Sequence, residues 1–318
     1  MPLAIELSAV VVTVRDNEAL VLCLNLPKKN GQAAFALPSG PFLPQSHRTF
    51  DLALRAFVRE QTGFAIGYVE QLYSFGDDGR QGIAATAPAH DPEVDRVVSV
   101  GYLALTPQAG NQARFDTAWV PFHRFFPWED WRGNEANPKL EALRPALSRW
   151  CESAGSASER ALRLRRVATL FPEDFDNWNE ERVLDRYELL YNAGLTGEAH
   201  RADCGEMTIS AGEPMASDHR RILATGLSRL RGKLKYRPVI FELMPEQFTL
   251  LELQKSLEAL SGLRLHKQNF RRGLERTGFV KPLGIMREDT GGRPAELYSY
   301  DQEQFRFASS LGLSLPRA

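Results

Sequence analysis

The stretch AFVREQTGF, residues 56–64, raises a question of metal chemistry, because its residues have helical spacing and it ends in Thr-Gly followed by an aromatic residue. Metal-dependent cleavage of a pyrophosphate requires several carboxylates around Mg²⁺, and glutamates at positions i, i+3 and i+4 of a helix supply them from one face. When the Thr-Gly pair sets the register, those three positions hold Phe57, Glu60 and Gln61. Only one of the three is a carboxylate.

A shift of this register by one residue does not restore the carboxylates. Arg55 then fills the arginine position that precedes the glutamates, and the three ligand positions become Ala56, Arg59 and Glu60. A single glutamate binds one loosely hydrated ion through waters, whereas cleavage needs a cluster of hard oxygen ligands. The stretch therefore predicts a degenerate catalytic helix, with no metal site, no catalytic residue and no required cofactor.

A second set of chemically active residues is strongly basic and covers residues 264–281. This segment has six lysines or arginines and one acid, so its local charge is 6 − 1 = +5. Phe270 and Leu274 lie at helical spacing and are expected to turn inward. The outward side then presents side chains that pair with base edges and phosphates in a major groove, namely Lys267, Gln268, Asn269, Arg271 and Arg272. The alternative is a basic helix that faces solvent or a protein partner.

The surroundings of this basic helix predict a winged helix-turn-helix. Thr249 begins a preceding helix with a capping-box pattern, a short turn follows, and the basic helix ends at Gly278. A β-hairpin that turns at Gly291-Gly292 would form the wing. Thr249 at the helix start and Arg293 at the hairpin tip complete the residues that we expect to contact DNA.

Residues 4–122 have the texture of a β-sheet. IELSAVVVTV and LVLCLNL flank the turn RDNEA and predict a hairpin, and VEQLYSFG, RVVSVGYLAL and TAWVPF predict three more strands. One helix lies between them, with Thr49 as its N-cap and Gly63 at its end. Its apolar residues share one face, so we expect it to pack on the sheet.

The remaining chain is mostly helical. Residues 127–202 contain three helical patterns, and a long amphipathic helix begins after Asp218 and leads into an apolar, extended stretch before Pro245. The charges of this region, including the basic run RALRLRR, are expected to form solvated helix faces or interdomain contacts. We expect the first part of a sheet domain at 1–126, a helical insertion at 127–212, the last helix of the sheet domain with a connection at 213–243, and a DNA-binding domain at 244–318.

Composition limits the classes of function. The 318 residues carry a net charge of -1, with 43% hydrophobic and 25% charged residues, so the whole chain has no general attraction to nucleic acid or to a membrane. No run of about 18 apolar residues occurs. The three cysteines form no CxxC pair, and His200 with Cys204 is a poor metal site. We expect a cytoplasmic protein without a membrane partner.

The segment LPSGPFLPQSHRTFDLALRAFVREQTGF resembles a degenerate Nudix box, with LPSG in place of Leu-Pro-Gly-Gly. Together with EQLYSFGDDGR, RVVSVGYLAL, NFRRGLERTG and GRPAELY, it is similar to the NrtR-type, Nudix-related transcriptional regulators of NAD metabolism. The longer helical region at about 127–210 suggests the alphaproteobacterial NadQ-type branch. The resemblance implies an α+β fold: a Nudix-like mixed sheet with helices on both faces (an α/β/α sandwich), a helical insertion and a C-terminal winged helix-turn-helix.

The resemblance also implies that the Nudix-like domain senses a nucleotide instead of cleaving it. The effector would be an adenine nucleotide such as NAD(H), ADP-ribose or ATP. Tyr73 and Phe75 could flank an adenine, and charged residues around the FGDDGR loop could contact ribose and phosphate. The candidate ligand-binding residues are Tyr73, Phe75, Asp77, Arg80, Arg96, Tyr102, Phe57 and Glu60. For the two aromatic residues, plain core packing is the alternative.

The function implied is allosteric repression of NAD biosynthesis or salvage genes. A homodimer would present two recognition helices to double-stranded operator DNA, and the nucleotide would favour or disfavour that arrangement. Two other readings stay open. One is an active, Mg²⁺-dependent pyrophosphohydrolase of ADP-ribose or a related dinucleotide fused to a DNA-binding domain; the other is a nucleotide-binding module whose basic helix contacts protein.

Overall fold

The computed structural model describes eight segments of the chain: residues 3–26, 35–63, 66–76, 96–107, 116–133, 137–200, 211–288 and 294–301. Within these segments, no helix combines the length and the apolar character needed to cross a membrane.

A mixed β-sheet forms the centre of the amino-terminal part. Its strands are β1 (Leu3–Arg15), β2 (Glu18–Asn25), β3 (Phe35–Ala36), β4 (Ser39–Pro41), β5 (Tyr68–Phe75), β6 (Arg96–Leu105) and β7 (Thr117–Pro121). The order is β3-β2-β1-β6-β5, with β4 paired to β1 and β7 paired to β2, and the long β1–β6 pair is parallel. The predicted hairpin between β1 and β2 turns at Asp16 and Asn17, which have φ angles of 52° and 62°. Such residues tolerate the left-handed region that a two-residue hairpin turn requires.

Helices cover both faces of this sheet. On one face lies α1 (Phe50–Thr62), which has the predicted caps: the Thr49 hydroxyl accepts from the Leu52 amide, and Gly63 ends the helix at φ 80°. Leu54 and Val58 of α1 pack against alternate residues of β1 and β6. On the opposite face lies α5 (His219–Tyr236), whose Ile222 and Leu223 belong to the larger apolar core. The sheet with a helix on each face forms the predicted α/β/α sandwich.

Three helices of the central region extend the larger core. They are α2 (Pro138–Glu152), α3 (Ala157–Leu170) and α4 (Val183–Asn192). One expectation is corrected here, because the apolar stretch after α5 forms a 3₁₀ helix, Val239–Leu243, and not an extended strand. Four of its five side chains are buried. A strand would send alternate side chains to opposite faces, whereas a compact turn lets nearly all of them pack into one core.

The winged helix-turn-helix follows. It consists of β8 (Phe248–Thr249), α6 (Leu250–Ser261), α7 (Lys267–Thr277), β9 (Val280–Arg287) and β10 (Ala295–Tyr300). The three strands form a sheet in the order β8-β10-β9. Glycines in the left-handed region end both helices, Gly262 at φ 71° and Gly278 at φ 64°. Leucines of α6 belong to the same apolar core as α5, so the winged helix is packed directly on the sheet domain.

Candidate functional site: a basic helix joined to a sheet domain

The outer surface of α7 is basic and exposed. Phe270 and Leu274 are buried, with 3% and 2% of their surface exposed, and they fix the helix on its inner side. All five residues predicted to read DNA from this helix are exposed: Lys267, Gln268, Asn269, Arg271 and Arg272. Within the described part of the chain, none of the three cations among them forms a salt bridge. Unpaired cations on one rigid face suit phosphate and base-edge contacts.

Two other predicted DNA contacts lie elsewhere. Thr249 is 5% exposed, and its hydroxyl accepts from the Glu252 amide at 3.2 Å while its own amide donates to Glu252 Oε2 at 2.7 Å. This is the predicted capping box, so the DNA contact predicted for Thr249 gains no support from the geometry. Arg293 lies outside the described residues. Sequence reasoning missed a further link, in which Arg287 of β9 donates to Glu252 Oε1 at 2.6 Å and joins the wing to α6.

At the three ligand positions of α1, two of the side chains pack against neighbouring residues and one is exposed. A Cβ placed on Gly40 would lie 3.1 Å from the Phe57 ring, so this half-buried ring fills the space above β4. The amide Nε2 of Gln61 donates to the Ser39 carbonyl at 2.7 Å. Glu60 is exposed and is the one carboxylate at the three ligand positions.

A Mg²⁺ ion does not fit this donor set. At two of the three ligand positions an aromatic ring and a neutral amide replace the carboxylates that would offset the charge of the phosphates. Within the described residues there is also no group of three or more histidines, cysteines or acids that could hold a metal ion.

The sheet separates the predicted ligand-binding residues. Tyr102 packs with α1, is 4% exposed, and donates from its hydroxyl to Gln71 Oε1 at 3.2 Å; burial raises the pKa of this hydroxyl. Phe75 packs on the α5 face, where a Cβ on Gly101 would lie 3.2 Å from its ring. Tyr73 is 59% exposed and lines a groove beside α5.

Of the residues predicted to bind the ligand, those that the structure describes with their side chains are therefore not brought together in one pocket. Phe57 and Tyr102 belong to the α1 face, and Tyr73 and Phe75 to the α5 face. For Arg96, the structure describes the backbone, which opens β6 opposite Leu3. Asp77 and Arg80 lie outside the described residues, as do Cys204 and the side chain of His200.

A fully buried ion-pair cluster joins the sheet domain to the winged helix. Glu129 follows β7 and has no exposed surface; its Oε1 lies 2.6 Å from Nε of Arg186 in α4, and its Oε2 lies 2.6 Å from Nη1 of Arg231 in α5. Burial acts to raise the pKa of Glu129, but the two guanidinium groups hold it below its ordinary value. The Nε of Arg231 donates to the Leu260 carbonyl of α6 at 2.9 Å.

The turn before α7 is held by the same segment. The Trp131 amide donates to the Gly262 carbonyl at 2.7 Å. A Cβ on Gly262 would lie 2.1 Å from the Glu129 carbonyl oxygen, so glycine is required both for this approach and for φ 71°. Residues 129–131 thus fix the start of the turn that leads to the basic helix.

Sequence reasoning did not single out this cluster. Arg186 and Arg231 lie in amphipathic helices, where isolated arginines usually face solvent. A signal was present in FFPWEDW, residues 125–131, because an acid inside an aromatic run must be buried with a partner or turned outward. The identity of that partner depends on helix packing, which one sequence does not specify.

Comparison with known proteins agrees with this architecture. Residues 240–300 match the NrtR DNA-binding winged helix domain. A protein of Acinetobacter baylyi, named ADPR responsive transcriptional repressor NtrR, is 35% identical over 103 residues, which are 32% of this chain and 41% of that relative. The matched region thus spans less than half of the curated relative.

Solved structures of other proteins have a similar fold. Shewanella oneidensis NrtR, in a crystal structure with a 27mer DNA, has a TM-score of 0.56 and 21% identity, and the match covers 97% of each chain. A MutT/nudix family protein from Enterococcus faecalis has a TM-score of 0.51 and 16% identity, covering 95% of this chain and 87% of that one. The predicted α+β fold and the NrtR resemblance are confirmed; the NadQ-type branch stays a prediction.

Proposed function

We propose that this chain is a transcriptional repressor that binds operator DNA through α7 and responds to a nucleotide bound by its Nudix-like domain. The observation that carries this proposal is the exposed basic face of α7, whose cations form no salt bridge with any described residue and which Phe270 and Leu274 fix from behind within a winged helix. A rigid helix with exposed Lys, Arg, Gln and Asn side chains matches what major-groove reading requires.

The effector is proposed to be an adenine nucleotide of NAD metabolism. ADP-ribose is the first candidate, because the Acinetobacter baylyi relative is named as responsive to it; NAD(H) and ATP are the others. The regulated genes would then be those of NAD biosynthesis or salvage. The nucleotide either releases the DNA or promotes its binding.

The chain is proposed to sense the nucleotide without cleaving it. Phe57 and Gln61 are committed to packing and to a backbone hydrogen bond, so one exposed carboxylate, Glu60, remains at the ligand positions. The alternative, an active Mg²⁺-dependent pyrophosphohydrolase, would need further carboxylates from elsewhere.

A homodimer is part of the proposal. Repressors with one recognition helix per chain commonly read two half-sites about one helical turn of DNA apart, and a twofold dimer supplies the second helix. The proposed domains are residues 1–126, 127–212, 213–243 and 244–318, and the insertion at 127–212 belongs to the sensing half.

Selection of bound sequences from a random DNA library, followed by titration of the enriched duplex at several salt concentrations, tests the DNA-binding function. Wild type should enrich a palindromic site and bind it with a steep salt dependence. Replacing Arg271 and Arg272 with alanine should weaken binding and lower the salt slope by about one per phosphate contact removed.

The matched control replaces Arg165 and Arg166 of α3, another adjacent pair without a salt bridge among the described residues, with alanine. Its affinity should equal that of wild type. If the α3 pair weakens binding and the α7 pair does not, the assignment of the recognition helix is wrong. If no sequence is enriched, the repressor function itself is wrong.

A further inference from the structure

A groove lies between the edge strand β5 and the helices α4 and α5. Its volume is about 450 Å³, which is within the range of small-molecule sites in proteins. Tyr73 of β5 forms one wall, with 59% of its surface exposed. Leu184 and Asp185 of α4 also line the groove, so the helical insertion contributes to it.

Two arginines from the α5 side give the groove positive charge. Arg229 and Arg237 are exposed, and neither forms a salt bridge within the described segments. Lys233 lies between them in sequence, but it is held by Glu70 at 2.6 Å and by the Tyr68 hydroxyl at 2.9 Å. Arg237 directly follows the last residue of α5. The two arginines lie eight positions apart in sequence, which corresponds to about 12 Å along a helix axis, so they could contact separate groups of one extended ligand.

The two acids that line the groove differ in whether a salt bridge already holds them. Glu181 is paired with Lys235 at 2.6 Å, whereas Asp185 makes no salt bridge among the described residues. A free carboxylate accepts hydrogen bonds from ribose hydroxyls, as acidic residues do in dinucleotide-binding folds. The groove thus combines an aromatic face for a base, guanidinium groups for phosphates and a carboxylate for a sugar.

We infer that this groove binds the nucleotide effector, a nucleoside diphosphate of the ADP-ribose class, with Tyr73 stacked on the base and Arg229 and Arg237 on the phosphates. The inference rests on the proposed function and identifies where the nucleotide binds. It places the ligand on the α5 face of the sheet, not beside the degenerate α1 helix. It also makes the insertion part of the site, which gives this region a role in sensing.

The position of the groove explains how nucleotide binding there could change the position of the winged helix. Arg229 and Arg231 are two residues apart on α5; Arg229 lines the groove, whereas Arg231 is buried and bonded to the Leu260 carbonyl of α6. A ligand that shifts α5 or α4 would therefore move a residue bonded to the helix-turn-helix. Coupling requires that the ligand bind the two arrangements with different affinity.

Calorimetric titration of the full chain with ADP-ribose tests the site. Tyr73→Ala, Arg229→Gln and Arg237→Gln should each weaken binding by about tenfold or more, because each removes a stacking surface or a charge-assisted hydrogen bond. Tyr73→Phe keeps the ring and should bind like wild type. The matched control on α1 is Arg59→Gln, which is exposed on the other face and should leave the affinity unchanged.

The outcomes separate the inference from the function on which it rests. If the groove variants bind like wild type, or if Arg59→Gln alone loses binding, the groove is not the site although nucleotide sensing stands. If wild type binds none of ADP-ribose, NAD and ATP, the proposed effector fails together with the groove. Unliganded DNA affinity should be the same in wild type and in all groove variants, and a loss there would mean that the groove serves DNA binding instead.

Discussion

Glu129 lies 2.6 Å from Nη1 of Arg231, and both side chains are fully buried at the junction of the sheet domain and the winged helix. The same arginine donates to the Leu260 carbonyl near the end of α6. One ion pair therefore links the segment after β7 to α5, and through α5 to the helix that precedes the basic surface. Because a buried charge left without its partner is costly, this link should open only together with a larger rearrangement.

Replacing Arg231 with methionine should destabilise the protein strongly. The change leaves Glu129 with one arginine in a dry core and removes the bond to α6, and we expect a loss of about 3 kcal/mol in the free energy of unfolding. Urea denaturation measures it. Arg229→Met, on the exposed side of the same helix, should cost about 0.5 kcal/mol or less. Equal losses in the two variants would show that the buried pair has no special role.

The stability of the protein should depend on the ionisation of Glu129. The arginines hold the pKa of this carboxyl below its ordinary value of 4.5, so the unfolded state binds the proton more readily than the folded state does. The contribution of this pair is complete above the unfolded-state pKa and is lost as pH falls through the folded-state pKa. Glu129→Gln should therefore show a shallower loss of stability than wild type as the pH is lowered below about 4.5. Parallel pH profiles of the two proteins would contradict the assigned charge state.

Gly262→Ala should impair DNA binding through the position of α7. A methyl group there would lie 2.1 Å from the Glu129 carbonyl oxygen and would strain a residue at φ 71°, so the turn must separate from residues 129–131. We expect a lower melting temperature and weaker binding of the selected duplex. Gly67→Ala is the control, because its added methyl would meet no atom within 4 Å. Full DNA affinity in Gly262→Ala would mean that the contact between Gly262 and residues 129–131 does not set the position of α7 for DNA binding.

Incubation of wild type with ADP-ribose and Mg²⁺ should release no AMP above the level of a protein-free blank. Phe57 and Gln61 carry no negative charge, so one carboxylate at these positions, Glu60, is too few to hold the Mg²⁺ that would stabilise a transition state at the phosphates. Chromatography of the nucleotides after a long incubation gives the measurement, with Glu60→Gln as the comparison. Sustained turnover that Glu60→Gln abolishes would establish the hydrolase alternative.

The sequence predicted those features that depend on residues close together in the chain, namely helix caps and strand bounds. The caps at Thr49, Gly63 and Thr249 were predicted, because each depends on residues three or four positions apart. The strand RVVSVGYLAL was predicted with its bounds, since its apolar residues and length favour a buried strand.

Relations between distant segments did not follow from the sequence. Tyr73 and Tyr102 lie on opposite faces of the sheet, and this depends on the pairing of β5 with β6, whose register shifts between Gln71 and Ser74. A shift of this kind changes which face a side chain occupies without changing the sequence pattern. The partner of Glu129 likewise depends on how α4 and α5 pack, and no local pattern encodes it.

The most direct test of the account is a linkage measurement on wild type. Fluorescence anisotropy gives the affinity for the selected duplex with and without saturating ADP-ribose, and calorimetry gives the affinity for ADP-ribose with and without the duplex. We predict that each ligand changes the affinity for the other by the same factor, about fivefold or more, because coupling between two sites is reciprocal. If both ligands bind and neither affinity changes, the Nudix-like domain does not control the winged helix, and the account is contradicted.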